Sequence, residues 1–343
     1  MSSSIRRPLR VGIIGTGFGA RVVAGAFQAG HCEVTGVVTP RDRDAVRALC
    51  QSDVDLISVH SPPFLHVEHV TMAVESGRAV MCDKPFGRSV GEAVTMAQAA
   101  DAAGVVNLLN FEFRHQPARR TMHDLVISGA IGPPEHLSYT AFTSGSRVPL
   151  RPWGWLFDRS LGGGWVGAFG SHAIDLVRWL LGDVRRAGAA TWITVNERPD
   201  NDGRPQPCTA EDAFVGWLEL ASGATATVDT SFTSGVPLAP RILITGPDGA
   251  IENVGDARLV VRRRDRDRQE IGFPSGTGDS HHAAMTAWAA EVRDAVMEGR
   301  QIAPSFADGL ACMRVMDQWR AVPPTHVGPE TGVSVVSAEA GTP

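Results

Sequence analysis

Gly15-Thr16-Gly17-Phe18-Gly19-Ala20 follows a short apolar run, Leu9 to Ile14, and precedes a stretch with apolar residues at helical spacing, Ala20 to Gln28. Strand, glycine turn and helix in that order make a seat for a dinucleotide pyrophosphate. Gly15 permits a tight turn, Gly17 lets the main chain approach phosphate, and the helix presents free N–H groups to the anion. Phe18 and Gly19 complete the turn, and Ala20 fills the last place of the G-x-G-x-x-G/A pattern. The next strand, Glu33 to Val38, ends where a dinucleotide fold usually places an acidic residue for the adenine ribose. Thr39-Pro40-Arg41 stands there instead. Thr39 can donate to a 2′-phosphate and Arg41 can pair with it, so NADP is favoured over NAD. Asp42 leaves NAD open, and Arg43 is an alternative to Arg41.

Two more residues have the types that hydride chemistry needs. Lys84 comes two residues after the apolar run Ala79 to Cys82, at the carboxyl edge where a doubly wound sheet holds its ligand. His172 opens a helical pattern that runs to Leu181. An imidazole titrates near neutrality and can serve as base in an oxidation and as acid in a reduction.

These residues need a scaffold that alternates strand and helix. Beyond the first two strands, Asp55 to His60, Ala79 to Cys82 and Val105 to Asn110 read as strands, with helices over His66 to Ser76 and Val90 to Ala103. Only Thr39 to Val54 separates the second strand from the next. That span holds one short helix, Arg41 to Cys50 with Val46, Leu49 and Cys50 inward, so the usual third strand is expected to be absent. The alternation then stops. His136 to Phe142, Ala187 to Val195, Ala213 to Leu220, Ala224 to Phe232, Arg241 to Thr245 and Arg258 to Arg263 read as strands without helical crossovers, which implies an open antiparallel sheet. Helices over Ala118 to Ser128 and His172 to Leu181 flank its start, and Ala283 to Glu298 and Ala307 to Val322 close the chain. The expected organisation is α/β plus α+β: a Rossmann domain over 1–116, an α+β domain over 117–322, and a disordered tail over 323–343.

Composition narrows the function. With 32 basic and 37 acidic residues the net charge is -5, against the basic excess of a nucleic-acid surface. No apolar run approaches the ~20 residues of a membrane span, and Met1 to Pro8 lacks the apolar core of a signal peptide. Five cysteines without a close pair read as buried thiols of a cytoplasmic protein. His281-His282 finds no third ligand at suitable spacing, so no metal is expected.

The motifs taken together resemble a known family. The glycine turn, Ser61-Pro62-Pro63-Phe64-Leu65-His66, Asp83-Lys84-Pro85, Gly132 after a helix, and Gly162-Gly163-Gly164 leading to Gly170-Ser171-His172-Ala173-Ile174-Asp175 occur in that order. In combination they are similar to the glucose-fructose oxidoreductase/inositol dehydrogenase (Gfo/Idh/MocA) family over roughly residues 8 to 320. The resemblance implies oxidation or reduction of a sugar or polyol with NAD or NADP. It also implies assembly into a homodimer or homotetramer through the second sheet. Ser61, Pro62, His66, Asp83 and Lys84 join the cofactor contacts, Lys84 matches the lysine that bonds the reacting hydroxyl, and His172 matches the histidine that accepts its proton. Asp175 is expected to orient the His172 helix or bond the histidine. Asp83 replaces the family's usual glutamate.

A departure lies four residues before His172, where such dehydrogenases commonly carry aspartate and this chain has Ala168. The missing carboxylate and the missing third strand leave an alternative in which the chain keeps the fold as a ligand-binding or scaffold protein without turnover. A transient-hydride lyase or hydrolase has no mark of its own in the sequence. Asn110, Arg114 and His115 follow a strand at the carboxyl edge and are expected near the substrate. Arg114 suits either a substrate oxyanion or an interdomain salt bridge. Trp153, Trp155 and Trp165 flank the glycine run as candidates for stacking on a sugar ring or for loop packing. Lys84 and His172 working alone, or a different acid such as Tyr139 or His115, are the alternatives that keep turnover, although Tyr139, the only tyrosine, sits in a strand and reads as core.

Overall fold

The structure is a computed structural model that describes residues 7–274 and 281–327. Its first sheet has five parallel strands: β1 (Arg10–Ile14), β2 (Glu33–Val38), β3 (Leu56–Val59), β4 (Ala79–Cys82) and β5 (Asn107–Leu109). The crossovers carry α1 (Ala24–Ala29), α2 (Arg43–Gln51), α3 (His66–Glu75) and α4 (Val90–Ala103). Strand order is β2-β1-β3-β4-β5. β3 is buried at every position, as a parallel strand covered on both faces must be. β2 is an edge, and no described strand lies outside it. As the short Thr39 to Val54 span requires, the segment is a single helix with Val46, Leu49 and Cys50 buried.

After α5 (Pro117–Ile127) comes the second sheet. Its strands are β6 (His136–Phe142), then, past α6 (Ser171–Leu181), β7 (Val184–Ile193), and, past the two-stranded excursion β8 (Glu197–Pro199) and β9 (Pro205–Pro207), β10 (Ala213–Leu220), β11 (Thr225–Ser231), β12 (Arg241–Gly246), β13 (Gly249–Val254), β14 (Arg258–Arg263) and β15 (Arg266–Gly272). The helices α7 (His281–Glu298) and α8 (Phe306–Trp319) follow, and β16 (Thr325–His326) ends the described chain. The nine-stranded order is β15-β14-β13-β12-β6-β11-β10-β7-β16.

Three expectations are corrected here. The sheet is mixed: β6 pairs in parallel with β11, and β16 with β7. The chain returns to β6 only after passing through α6 and the β7–β10 pair, so a helix-containing crossover does exist. The closing helices do not belong to the second sheet alone. Met285, Trp288, Ala289 and Val292 of α7 pack with Val22, Val23 and Phe27 against the first sheet, while α8 packs on α4 of the first domain as well as on α6 and β7. Finally, the tail begins as a strand, because Thr325 and His326 pair with Trp192 and Ile193. Residues 328–343, the remainder of the expected tail, lie outside the described residues.

The inner face of the second sheet follows the period of two. Leu137, Tyr139 and Ala141 of β6 and Phe214, Leu218 and Leu220 of β10 are buried, while Val215, Trp217 and Leu243 are exposed on the opposite face. All five cysteines are buried and unpaired. Among the described residues no helix is long and apolar enough to cross a membrane.

His69, on the buried face of α3, joins two loops of the first sheet. Its Nδ1 meets Ser61 Oγ at 2.9 Å, and its ring also bonds the main chain at Pro40. Burial, aided by the neighbouring His66, holds its pKa down at about 4. The folded state therefore prefers the neutral ring, whereas an unfolded histidine takes up a proton near ~6.5. The contribution is fully present above that pH and is lost as pH falls toward 4. In denaturant titrations the wild type should lose stability between about pH 6.5 and pH 4, and His69→Gln should remove up to ~1.4 kcal/mol per pH unit of that slope. An unchanged slope in the variant would contradict the assignment.

Candidate active site

The glycine turn has a closed back and an open front. Gly15 has φ +143°, and a Cβ there would lie 2.6 Å from the His60 carbonyl oxygen, so only glycine fits. A Cβ on Gly19 would meet Ile13 Cγ2 at 2.9 Å. Nothing lies within 4 Å of a Cβ on Gly17, which faces open space. Gly15 N donates to Val38 O at 2.9 Å and Arg21 N to Gly17 O at 3.1 Å. Among the described residues the amides of Thr16, Gly17 and Phe18 have no main-chain acceptor. Ahead of a helical run that begins at Gly19, they form the anion seat that a pyrophosphate requires. Thr16, Gly17 and Ala20 are exposed there, and Phe18 packs its ring on His60 and His281.

The end of β2 sorts the charged candidates. Asp42 caps α2 by accepting from Ala45 N at 3.0 Å, and Arg43 pairs with Glu68 at 2.6 Å. Thr39 and Arg41 are exposed, and among the described residues Arg41 has no carboxylate partner. Ser61 and His66 are committed inward. Ser61 Oγ bonds His69, and His66 is wholly buried with Nε2 donating to Ser61 O at 2.8 Å. His66 therefore supports the loop from beneath, and its expected contact with cofactor is corrected. Pro62, half-buried, begins the short 3-10 turn Pro63–Leu65.

Lys84 stands at the carboxyl edge of β4. Its Nζ donates to the main-chain oxygen of Ala168 at 2.8 Å. Ala168 lies in a π-helical turn, Val166–Gly170, that runs directly into α6 and His172. Buried Glu211 and Arg320 hold this turn. Glu211 Oε1 accepts from Arg320 Nη2 at 2.5 Å and from Val166 N at 3.1 Å, while Arg320 Nη2 also donates to Gly163 O at 2.7 Å. Asp83 fixes the lysine's backbone by accepting from Lys84 N at 2.9 Å. It also accepts from Asn110 Nδ2 at 3.3 Å and from His60 Nδ1 at 3.2 Å, and Ser58 Oγ in turn donates to His60 Nε2 at 2.7 Å. Burial opposes ionisation of Asp83, but the His60 hydrogen bond and charge, followed by the Lys84 charge, hold its carboxyl far below the usual range.

His172 is 4% exposed, and its Nε2 has no partner. Burial first, and then the charges of Lys84, His281 and Arg119, push its pKa well below the ordinary value, so the ring is neutral and ready to accept a proton. The rings of Phe113 and Phe111 lie 4.4 and 5.8 Å away.

Lys84 and His172 line one cleft of about 970 Å³ between the first sheet's carboxyl edge and the inner face of the second. Asn110, Arg114, Trp155 and Asp175 do not line it. Asn110 is buried behind Asp83. Arg114 and Asp175 are committed to each other in a buried two-bond pair at 2.8 and 2.5 Å, so Asp175 does not bond His172. Of the two roles open to Arg114, the salt bridge holds. Trp155 begins a 3-10 turn, and Trp165 is the tryptophan at the cleft, stacked on Phe232 at 4.2 Å. His115 stacks on Trp288.

The sequence reading missed Arg119 and Asp256 and offered Tyr139 as an alternative acid while favouring core packing for it. All three line the cleft. Arg119 shares the buried stripe of α5 with Met122 and Val126, at helical spacing. A cation on an otherwise apolar stripe was the available signal.

Two family models match this chain in sequence order. One, described as an oxidoreductase family with an NAD-binding Rossmann fold, covers residues 9–111, and the other, the GFO/IDH/MocA C-terminal domain, covers residues 119–252. A Synechocystis protein named an uncharacterized oxidoreductase is 27% identical over 92% of this chain and 96% of its own. Levoglucosan dehydrogenase of Pseudarthrobacter phenanthrenivorans is 26% identical over 77% of each. Among solved structures, an oxidoreductase domain protein from Kribbella flavida superposes with a TM-score of 0.83 at 26% identity, covering 91% of this chain and 96% of that one. A levoglucosan dehydrogenase in complex with NADH and levoglucosan gives 0.82 at 22% identity, with 91% and 96% covered. With the glycine turn and lysine edge in its first half and the histidine helix in its second, this chain belongs to the GFO/IDH/MocA family of oxidoreductases with an NAD-binding Rossmann fold.

Proposed function

We propose that the protein is an NAD(P)-dependent dehydrogenase or reductase of a sugar or polyol, with NADP preferred over NAD. The observation that carries the reading is one cleft holding an anchored Lys84 ammonium and a neutral, unpartnered His172 Nε2. Names among the relatives support the substrate class: besides levoglucosan dehydrogenase they include D-apiose dehydrogenase and D-xylose 1-dehydrogenase (NADP(+)).

The amides of the glycine turn would hold the pyrophosphate, Thr39 and Arg41 the adenine ribose end, and the Pro62 and Asp83–Lys84 segments the nicotinamide end. When bound, nicotinamide supplies the acceptor or donor of hydride. In the oxidising direction His172 Nε2 accepts the hydroxyl proton while Lys84 steadies the developing charge on oxygen. One Nζ hydrogen is engaged by Ala168 O, and two remain for the substrate. In reduction the same histidine returns the proton. Ala168 supported the non-catalytic alternative only through the loss of a side-chain carboxylate. The turn that carries Ala168 still orients Lys84 through its main chain, a contact that needs no side chain at 168.

NADP preference rests on Arg41 having no carboxylate partner among the described residues while Asp42 and Arg43 are engaged elsewhere. Five unpaired thiols favour a cytoplasmic location. Assembly as a homodimer or homotetramer is supported by Trp217, Val215 and Leu243 on the open face of the second sheet. Trp217→Glu should then lower the sedimentation coefficient to that of a smaller species. An unchanged coefficient would exclude this face.

Nicotinamide absorbance with a sugar and polyol panel tests the activity. His172→Ala should reduce turnover by about 10²- to 10⁴-fold while cofactor affinity is retained. Arg41→Ala should weaken NADP about ten- to a hundredfold more than NAD, the worth of a charge-assisted contact. Wild-type turnover that persists in His172→Ala, or equal losses for the two cofactors, would refute the respective role.

A further inference from the structure

We propose that the floor of the cleft is an oxyanion subsite built by Arg119 and Tyr139, so that the substrate is a sugar or polyol bearing a carboxylate. This rests on the dehydrogenase reading above and names its substrate class.

The floor offers donors and almost no free acceptor. Arg119 is 4% exposed. Its Nε and Nη2 donate to Asp256 at 3.0 and 2.9 Å, and its Nη1 has no partner. Asp256 also accepts from Asn253 Nδ2 at 2.7 Å, so both of its oxygens are engaged. Tyr139 Oη accepts from Arg119 Nη2 at 3.2 Å, and no described residue accepts its hydroxyl hydrogen. Two donors, Arg119 Nη1 and the Tyr139 hydroxyl, are therefore unmatched in one wall. An unmatched buried donor is unfavourable, and an oxyanion would relieve it.

A neutral sugar is a poor match for this wall. A hydroxyl must also place its own hydrogen, and Asp256, the carboxylate beside these two donors, is already engaged at both oxygens. A carboxylate only accepts. The charge balance agrees: Lys84, Arg119 and Arg151 line the cleft, and Asp256 is the only carboxylate among its described lining residues. Arg151, exposed at the cleft, has no ion pair among the described residues. The subsite also adjoins the proton-transfer group. The Phe113 ring lies under the Arg119 guanidinium at 4.9 Å and against His172 at 4.4 Å.

The test is calorimetric titration of the full chain with D-glucuronate and D-galacturonate against D-glucose, D-galactose and D-glucose 6-phosphate. The expected result is that the uronates bind about tenfold or more tighter than the neutral sugars and tighter than the phosphate. Tyr139→Phe keeps the Arg119–Asp256 pair intact and should cost the uronates about three- to tenfold more than it costs glucose. Arg119→Lys should abolish most of the preference while keeping a cation beside Asp256. Equal or tighter binding of the neutral sugars, or a uronate preference that survives both substitutions, overturns the subsite. Tighter binding of glucose 6-phosphate overturns the carboxylate assignment. Turnover of neutral sugars without acid preference would sink the subsite alone, whereas failure of the protein to bind either nicotinamide nucleotide would sink the dehydrogenase reading and not the sugar comparison.

Discussion

The hydrogen bond from Lys84 Nζ to the Ala168 carbonyl joins the two halves of the molecule at the point where chemistry is expected. A lysine ammonium on four rotatable bonds is a poor catalyst until its direction is set, and here both of its ends are fixed. Asp83 holds the backbone from the side of the parallel sheet, while the π-helical turn before α6 holds the ammonium. That turn keeps its shape because the buried Glu211–Arg320 pair grips Val166 and Gly163 around it. Breaking this pair would leave an uncompensated buried charge, which is more damaging than losing a surface contact. His172 gains its position from the same turn. Acid-base geometry thus depends on main-chain shape as much as on side-chain identity.

This explains which parts of the molecule the sequence could disclose. The glycine turn is legible because its requirements are local: Gly15 must avoid a Cβ against His60, and Gly17 must leave open space. The narrowed parallel sheet is legible because chain length forbids another strand between β2 and β3. The part position 168 plays was not legible: its main-chain oxygen fixes Lys84, a contact that any residue type there would offer. Arg114 and Asp175 carry motif positions but satisfy each other, a pairing between residues distant in the chain. Arg119 draws its partner Asp256 from the turn after β13, and that strand itself was missed. Its Glu252 and Asn253 are buried polar residues, so the alternation of apolar and polar that marks a strand is broken. β15 was missed for the opposite reason: it is an exposed, charged edge held by main-chain pairing to β14.

The placement of α7 has a consequence for how the chain comes apart. Trp288, fully buried, and Met285, Ala289 and Val292 cover one face of the parallel sheet, although they follow the entire second sheet in the chain. α8 likewise touches elements of both sheets, and one continuous apolar cluster extends from Val59 and Cys82 to Phe214 and Leu218. The core of the first sheet is completed only by helices that follow the whole second sheet in the chain. A cut after residue 116, where the two motifs look separable along the chain, would strip the nucleotide-binding half of the apolar cover that α7 gives it.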